Sequence, residues 1–198
     1  MSPKNRRPNR EEVRMSILQT ARDIAATDGW SCATVRKVAE RIGYTAPIIY
    51  EHFGSKDEML NQILKEGYIT LAEVISTATQ SASNSEDRIR AIIIAYWDFV
   101  HTNREIYQLM YGMEGARATS NEAREYAAPI VKIVTKELIR YNPEQITPEN
   151  VIEVMVAAWS MIHGMIALEL SGYTTRYVES DRLPETLVSN TLSILKRQ

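Results

Sequence analysis

Every apolar run in this chain repeats with the period of an α-helix, and none alternates convincingly with the period of two that a half-buried strand needs. The clearest run is Ile89, Ile92, Ile93, Tyr96, Trp97 and Val100, which fills i, i+3, i+4, i+7, i+8 and i+11 without a miss, with Phe99 at its edge. From Arg10 the positions Val13, Ile17, Ala21 and Ile24 recur in the same way, and Gly29 stops that helix after Asp28. Ser55 with Glu58 forms a capping box that opens a long helix through Leu60, Ile63, Tyr68 and Val74. Polar stretches in the second half of Ser76–Ser85 and at Gly115–Asn121 read as breaks. Further helices are expected from Asn103 to Met113, from about Asn121 to Tyr141 with Ile130, Val131, Val134 and Leu138 inward, and from Thr147-Pro148-Glu149 onward. A last one starts at Pro184 and buries Leu187, Val188, Leu192 and Leu195. The spacing predicts an all-α fold of about nine helices, in a chain of 198 residues that is long enough to bury a real core.

The stretch from Thr34 to Lys56 is more specific. Thr34 is a fair N-cap for a short helix, Val35 to Ile42, whose inner face is Val35, Val38, Ala39 and Ile42. Gly43 follows where a helix end favours a left-handed residue. Thr45 can cap a second short helix, Ala46 to about His52, in which Pro47 occupies the first turn. Two short helices around Gly43-Tyr44-Thr45 have the length and turn of a helix-turn-helix. Ala39 must be small because the second helix crosses close to it, and Ile49 plugs that helix onto the first.

The full run Thr34-Val-Arg-Lys-Val-Ala-Glu-Arg-Ile-Gly-Tyr-Thr-Ala-Pro-Ile-Ile-Tyr-Glu-His-Phe-Gly-Ser-Lys-Asp-Glu-Met-Leu60 resembles the DNA-binding signature of the tetracycline-repressor (TetR) family of bacterial transcriptional regulators. The resemblance covers roughly Arg10 to Leu60, about a quarter of the chain. It implies a three-helix DNA-binding domain at residues 1–56, followed by a helical effector-binding and dimerisation domain at 57–198. By the same resemblance Thr34, Tyr50, His52 and Lys56 touch phosphate, while Thr45, Ala46 and Pro47 face the bases. Hydroxyls and a long cation suit phosphate, whose contacts fix register without reading sequence. The base-facing positions Ala46, Pro47 and Ile48 offer no hydrogen-bonding side chain, so direct readout leans on thymine methyl groups, Thr45, and Arg36 or Lys37. The tail Lys4-Asn-Arg-Arg-Pro-Asn-Arg10 is either a minor-groove arm or a solvated tail. Phe53 is expected in the core.

In the rest of the chain, Ala158-Trp-Ser-Met-Ile-His-Gly-Met165 resembles the tryptophan-histidine-glycine class of TetR-type C-terminal domains, as does the segment from Phe99 through Asn103 to Met110. Gly164 would let another helix approach closely. The resemblance implies a small-molecule effector pocket, with Tyr96, Trp97, Phe99, Tyr107, Met110, Tyr111, Met113, Trp159, His163 and Met165 as candidates. Aromatic and Met side chains suit a mostly apolar ligand, and equally suit an ordinary core. Val151–Leu170 is the most apolar stretch, but Glu153, Ser160, His163 and Glu169 interrupt it, so it reads as a buried helix rather than a membrane span. Being apolar nearly all round, it needs cover from beyond its own subunit. With the last helix it would form a four-helix homodimer interface, as in the family, and such dimers prefer near-palindromic operators.

Charge agrees with a polyanion partner for the front of the chain. Residues 1–56 hold ten Lys and Arg against six Asp and Glu, net +4, and the remainder is net −6. The single cysteine, Cys32, allows no intramolecular disulfide and reads as a small buried residue in a reducing cytoplasm. No apolar segment follows the basic start, so no signal peptide is expected. Three scattered histidines (His52, His101 and His163), no H-E-x-x-H and no Gly-rich phosphate loop argue against an enzyme, a metal site or a cofactor. Two functions stay open: a dimeric repressor released by a small effector, and a DNA-binding protein with no effector at all.

Overall fold

The computed structural model describes residues 9–113 and 120–196. Among them run nine α-helices and no strand: α1 (Arg10–Asp28), α2 (Val35–Arg41), α3 (Pro47–Phe53), α4 (Lys56–Gln80), α5 (Ser85–Thr102), α6 (Arg104–Met110), α7 (Ser120–Tyr141), α8 (Val151–Leu170) and α9 (Leu183–Leu195). Of the basic tail, Lys4 to Pro8 lie outside the described residues, as does most of the expected break at Gly115–Asn121. The described chain divides into two compact units: residues up to Gly67 with Asn103–Glu125, and Tyr68–Thr102 with the residues from Tyr126 on.

The first unit is built around α1. Asn9 caps that helix in both directions: its side chain accepts from the Glu12 amide at 2.8 Å, and the Glu12 carboxylate takes the Asn9 N–H at 2.7 Å. Val13, Ile17, Ala21 and Ile24 are buried as their spacing predicts, joined by Leu18 and Ala25. Trp30 sits in a short 3₁₀ turn after Gly29 and sends its indole N–H to the Glu105 carbonyl oxygen at 2.6 Å. Glu105 is buried on α6, and its carboxylate accepts two bonds from the Arg22 guanidinium, at 2.9 and 3.1 Å. Gly67 completes the packing: a Cβ there would overlap the Ile106 Cγ2 methyl. Cys32 is half-buried, not buried as expected, because it closes a surface turn whose inward residue is Trp30.

The second unit packs α9 against α5 and α8. All six residues of the α5 stripe are buried, and so is Phe99. Leu187, Val188, Leu192 and Leu195 of α9 are buried too. Arg90 pairs with Glu185 at 2.6 Å and Lys196 with Glu86 at 3.1 Å, tying both ends of α9 to α5. Three expectations change here. Of the four α7 residues expected inward only Leu138 is buried, with Ile130, Val131 and Val134 half-buried, and Val74 of α4 is exposed. Helix α8 begins at Val151, since Thr147–Asn150 forms a turn in which the Asn150 side chain accepts the Thr147 amide at 2.8 Å.

Nor is α8 the buried helix its composition suggests. Val151, Val154, Ala158 and Ile166 are buried, whereas Ile152, Val156, Trp159 and Leu168 are exposed. A helix that is apolar all round presents more apolar surface than one packed face can take up. By length and composition α8 alone among the described helices could cross a membrane, with a mean hydropathy of 1.8 in its most apolar window. Nothing lies within 4 Å of a Cβ built at Gly164, so the close approach expected there is not made within this chain.

Candidate nucleic-acid interface

The helix-turn-helix is assembled from α2, α3 and the turn between them. The Thr34 hydroxyl accepts the Lys37 amide at 3.2 Å and starts α2, which ends at Arg41, one residue before the expected end. Gly43 holds φ at +78°, a conformation that costs a Cβ-bearing residue energy even though the space around it is open. Ala39 and Ile49 are fully buried, as the close helix crossing requires.

The start of α3 differs from expectation. Thr45 does not cap it by its side chain; Ala46 stands at the cap with helical dihedrals, and the helix begins at Pro47. The Ile48 amide, which a Thr45 hydroxyl would have taken, goes to the Thr45 carbonyl oxygen at 3.1 Å. Pro47 supplies no N–H, so one fewer amide needs a cap. At its other end α3 is held by α1. Arg10 donates to the Glu51 carbonyl oxygen at 3.4 Å, and the Arg14 guanidinium lies 5.1 Å from the centre of the buried Phe53 ring. Neither arginine stood out in the sequence for this role; their i, i+4 spacing on α1 is the only local trace of it.

Thr34, Arg36, Thr45, Pro47 and Tyr50 are exposed, while Lys37, Ala46, His52 and Lys56 are half-buried. Two of the cations are engaged. Arg36 pairs with Glu40 at 2.7 Å, and Lys37 reaches Asp28 at 2.6 Å, where its ammonium holds the Asp28 carboxyl below the usual range. His52 has its Nδ1 buried without a hydrogen-bond partner. Lys56 opens α4, whose Glu58 amide is capped by the Ser55 hydroxyl at 3.0 Å.

The residues expected around an effector fall in both units. In the first, Tyr107 is buried against Tyr111, ring centroids 4.8 Å apart, and burial pushes its phenol well above the ordinary value. Met110, Tyr111 and Met113 are half-buried there. In the second, Tyr96, Trp97 and Phe99 are buried, His163 and Met165 are half-buried, and Trp159 is exposed beside His163, their rings 5.5 Å apart. Burial lowers the His163 pKa. Trp97 has a different neighbour: His101 stacks on it at 4.3 Å, with Nδ1 2.9 Å from the Trp97 carbonyl oxygen and Nε2 3.0 Å from the Glu169 carboxylate. The second unit also has an open groove of about 550 Å³, lined by Glu73, Val74, Thr77 and Ala78 of α4 and by Ala91, Ile94, Ala95 and Asp98 of α5.

Comparison with known proteins agrees with this geometry. Residues 17–63 match the family model of bacterial regulatory proteins, tetR family, and residues 89–191 match that of the tetracyclin repressor-like C-terminal domain. A relative is the HTH-type transcriptional activator FasR of Mycolicibacterium smegmatis, 29% identical over 110 residues, which cover 54% of this chain and 50% of FasR. The chain thus spans about half the length of the curated relatives it matches. The fold is shared with a protein of unknown function from Rhodococcus sp. RHA1, with a TM-score of 0.79, 19% identity, and coverage of 100% of this chain and 98% of that one. It is also shared with the TetR family transcriptional regulator PfmR of Thermus thermophilus, with a TM-score of 0.63, 20% identity, and coverage of 91% and 97%. With one family model over the helix-turn-helix and another over more than half of the chain, this protein belongs to the TetR family of bacterial regulatory proteins.

Proposed function

We propose that the chain is a sequence-specific, double-stranded DNA-binding regulator of transcription, working in the cytoplasm as a homodimer whose operator affinity is set by a small, mostly apolar effector. The observation that carries this is the helix-turn-helix of α2 and α3, which keeps Thr34, Thr45, Pro47 and Tyr50 exposed while Ala39 and Ile49 are fully buried. Residues 1–56 serve as the reading head and 57–198 as the regulatory and dimerising body. In the head, Thr34, Tyr50, His52 (through Nε2) and Lys56 meet phosphate, and α3 lies in the major groove.

The exposed apolar face of α8, on a helix whose Val151, Val154, Ala158 and Ile166 are already buried in its own unit, supports dimerisation through α8 and α9. Two-fold symmetry then sets two heads about 34–36 Å apart, or a multiple of that, on a near-palindromic site. The buried Tyr96, Trp97 and Phe99 make the second unit the place to look for the effector. Occupancy of a promoter by such a dimer excludes polymerase, so the default sign is repression, with effector binding as the release; FasR, by its name, works with the opposite sign.

Titrating the purified chain onto labelled fragments, including the DNA upstream of its own coding sequence, tests this. Saturable, salt-sensitive binding at a site with half-sites one helical turn apart is expected. Weak binding that is equal on all fragments would remove the sequence-specific reading, and a promoter fusion reads the sign.

A further inference from the structure

Helix α3 spells Pro47-Ile-Ile-Tyr-Glu-His-Phe53. It has none of the Arg, Lys, Asn or Gln side chains that pair bidentately with guanine or adenine edges. Of the cations on α2, Arg36 and Lys37, the two that the sequence offers for readout, are engaged in exposed ion pairs with Glu40 and Asp28 of the same chain. Glu51 lies one turn beyond Pro47 and is exposed, but a carboxylate can accept only from the exocyclic amino groups of cytosine and adenine and is repelled by phosphate. What remains on the outward face is Thr45, Ala46, Pro47, Ile48 and Tyr50, three of them exposed and two half-buried. Among base edges in the major groove one feature is apolar, the C5 methyl group of thymine.

We propose that this protein selects its DNA chiefly by 5-methyl groups, packing Ala46, Pro47 and Ile48 against thymine methyls while Tyr50 and Thr45 set the register. The proposal rests on α3 being the DNA-reading element, as proposed above. Two features of this head suit that mode. The α3 backbone is anchored by the fully buried Ile49 and, at its C-terminal end, by the Arg10 and Arg14 contacts, so its apolar side chains approach the groove at a set depth. Pro47 itself is rigid and loses little freedom on contact. The same chemistry has a corollary: 5-methylcytosine carries its methyl group at the equivalent ring carbon, so cytosine methylation at a contacted position strengthens binding.

The test starts from a randomised duplex library, from which the full-length chain selects its preferred sequence. The dissociation constant is then measured for the selected duplex with each thymine replaced in turn by deoxyuridine, which removes the methyl and leaves the pairing edge intact. Burying one methyl-sized group predicts about fourfold weaker binding at each contacted position, and little change elsewhere. The variants Pro47→Ala and Ile48→Ala should shrink that fourfold penalty toward one, a coupling that a merely destabilised head would not show. Circular dichroism confirms that both variants are folded. Equal affinity for the thymine and uracil duplexes at every position overturns the methyl readout and leaves DNA binding standing. If no sequence is enriched from the library, the sequence-specific function proposed above falls with it.

Discussion

Trp30 and Glu105, 75 residues apart in sequence, are joined by a 2.6 Å hydrogen bond from the indole N–H to the main-chain carbonyl oxygen. The same glutamate accepts the Arg22 guanidinium with its carboxylate, so one residue of α6 secures both α1 and the turn that follows it. Losing one partner of a buried ion pair costs about 3–5 kcal/mol, and the 28% exposure of Arg22 brings Glu105→Ala down to about 2 kcal/mol. Trp30→Phe removes the indole donor and costs about 1 kcal/mol, the net worth of one hydrogen bond. Denaturant unfolding measures both, and stability equal to that of the unaltered chain would show that neither bond holds the first unit together.

Gly67 and Ile106 make a steric prediction in the same unit. Gly67→Ala should destabilise despite the better helix propensity of alanine, because its new methyl has no room beside Ile106 Cγ2. Removing the obstacle with Ile106→Ala should make the added methyl harmless, so the double variant is more stable than the sum of the two single changes predicts. A thermal melt of the four proteins supplies the cycle, and strict additivity would refute the contact.

Burial holds His163 below the ordinary histidine value of 6.5. The unfolded chain therefore takes up a proton at a pH where the folded chain still resists it. The stability from a neutral His163 is complete above about pH 6.5 and is lost as pH falls below it. Melting temperature should drop between about pH 7.5 and pH 5.5, and His163→Gln should flatten that part of the profile. An unchanged profile in the variant would assign the pH dependence to other groups.

On α8, Trp159 is the large exposed ring in a stripe with Ile152 and Val156, at i, i+4 and i+7. Trp159→Glu should convert a dimer into a monomer in sedimentation while keeping the helical circular-dichroism signal. It should also weaken operator binding, since two linked heads bind far better than one. A variant with the sedimentation behaviour of the unaltered chain would move the interface elsewhere.

Much of this architecture is legible in the sequence, for reasons that differ by element. Helices α1 and α5 follow directly from spacing, because a stripe such as Ile89 to Val100 can be buried in only one way. The helix-turn-helix is legible because Ala39, Gly43 and Ile49 each meet a local steric demand. Caps were harder to read. Thr45 looks like a cap, but Ala46 is already helical, so the chain turns with a main-chain bond instead. Side-chain partners distant in sequence were not legible at all: nothing near His101 announces Glu169, 68 residues away. The aromatic candidates for an effector show the same limit. Periodicity marks Tyr96 as buried and the resemblance groups it with Tyr107, but neither says that the two belong to different compact units.

The pairing of Arg36 with Glu40 and of Lys37 with Asp28 bears on how this head finds its partner, as distinct from how it grips it. A cation bound to a carboxylate of its own chain projects almost no field beyond the Debye length, about 8 Å at physiological ionic strength. These two residues therefore add little to the long-range pull that speeds a basic protein toward DNA. They can serve a phosphate only at close range, by exchanging one anion for another. Encounter is left to the other basic groups of the head, and dwell time at a site depends on short-range fit.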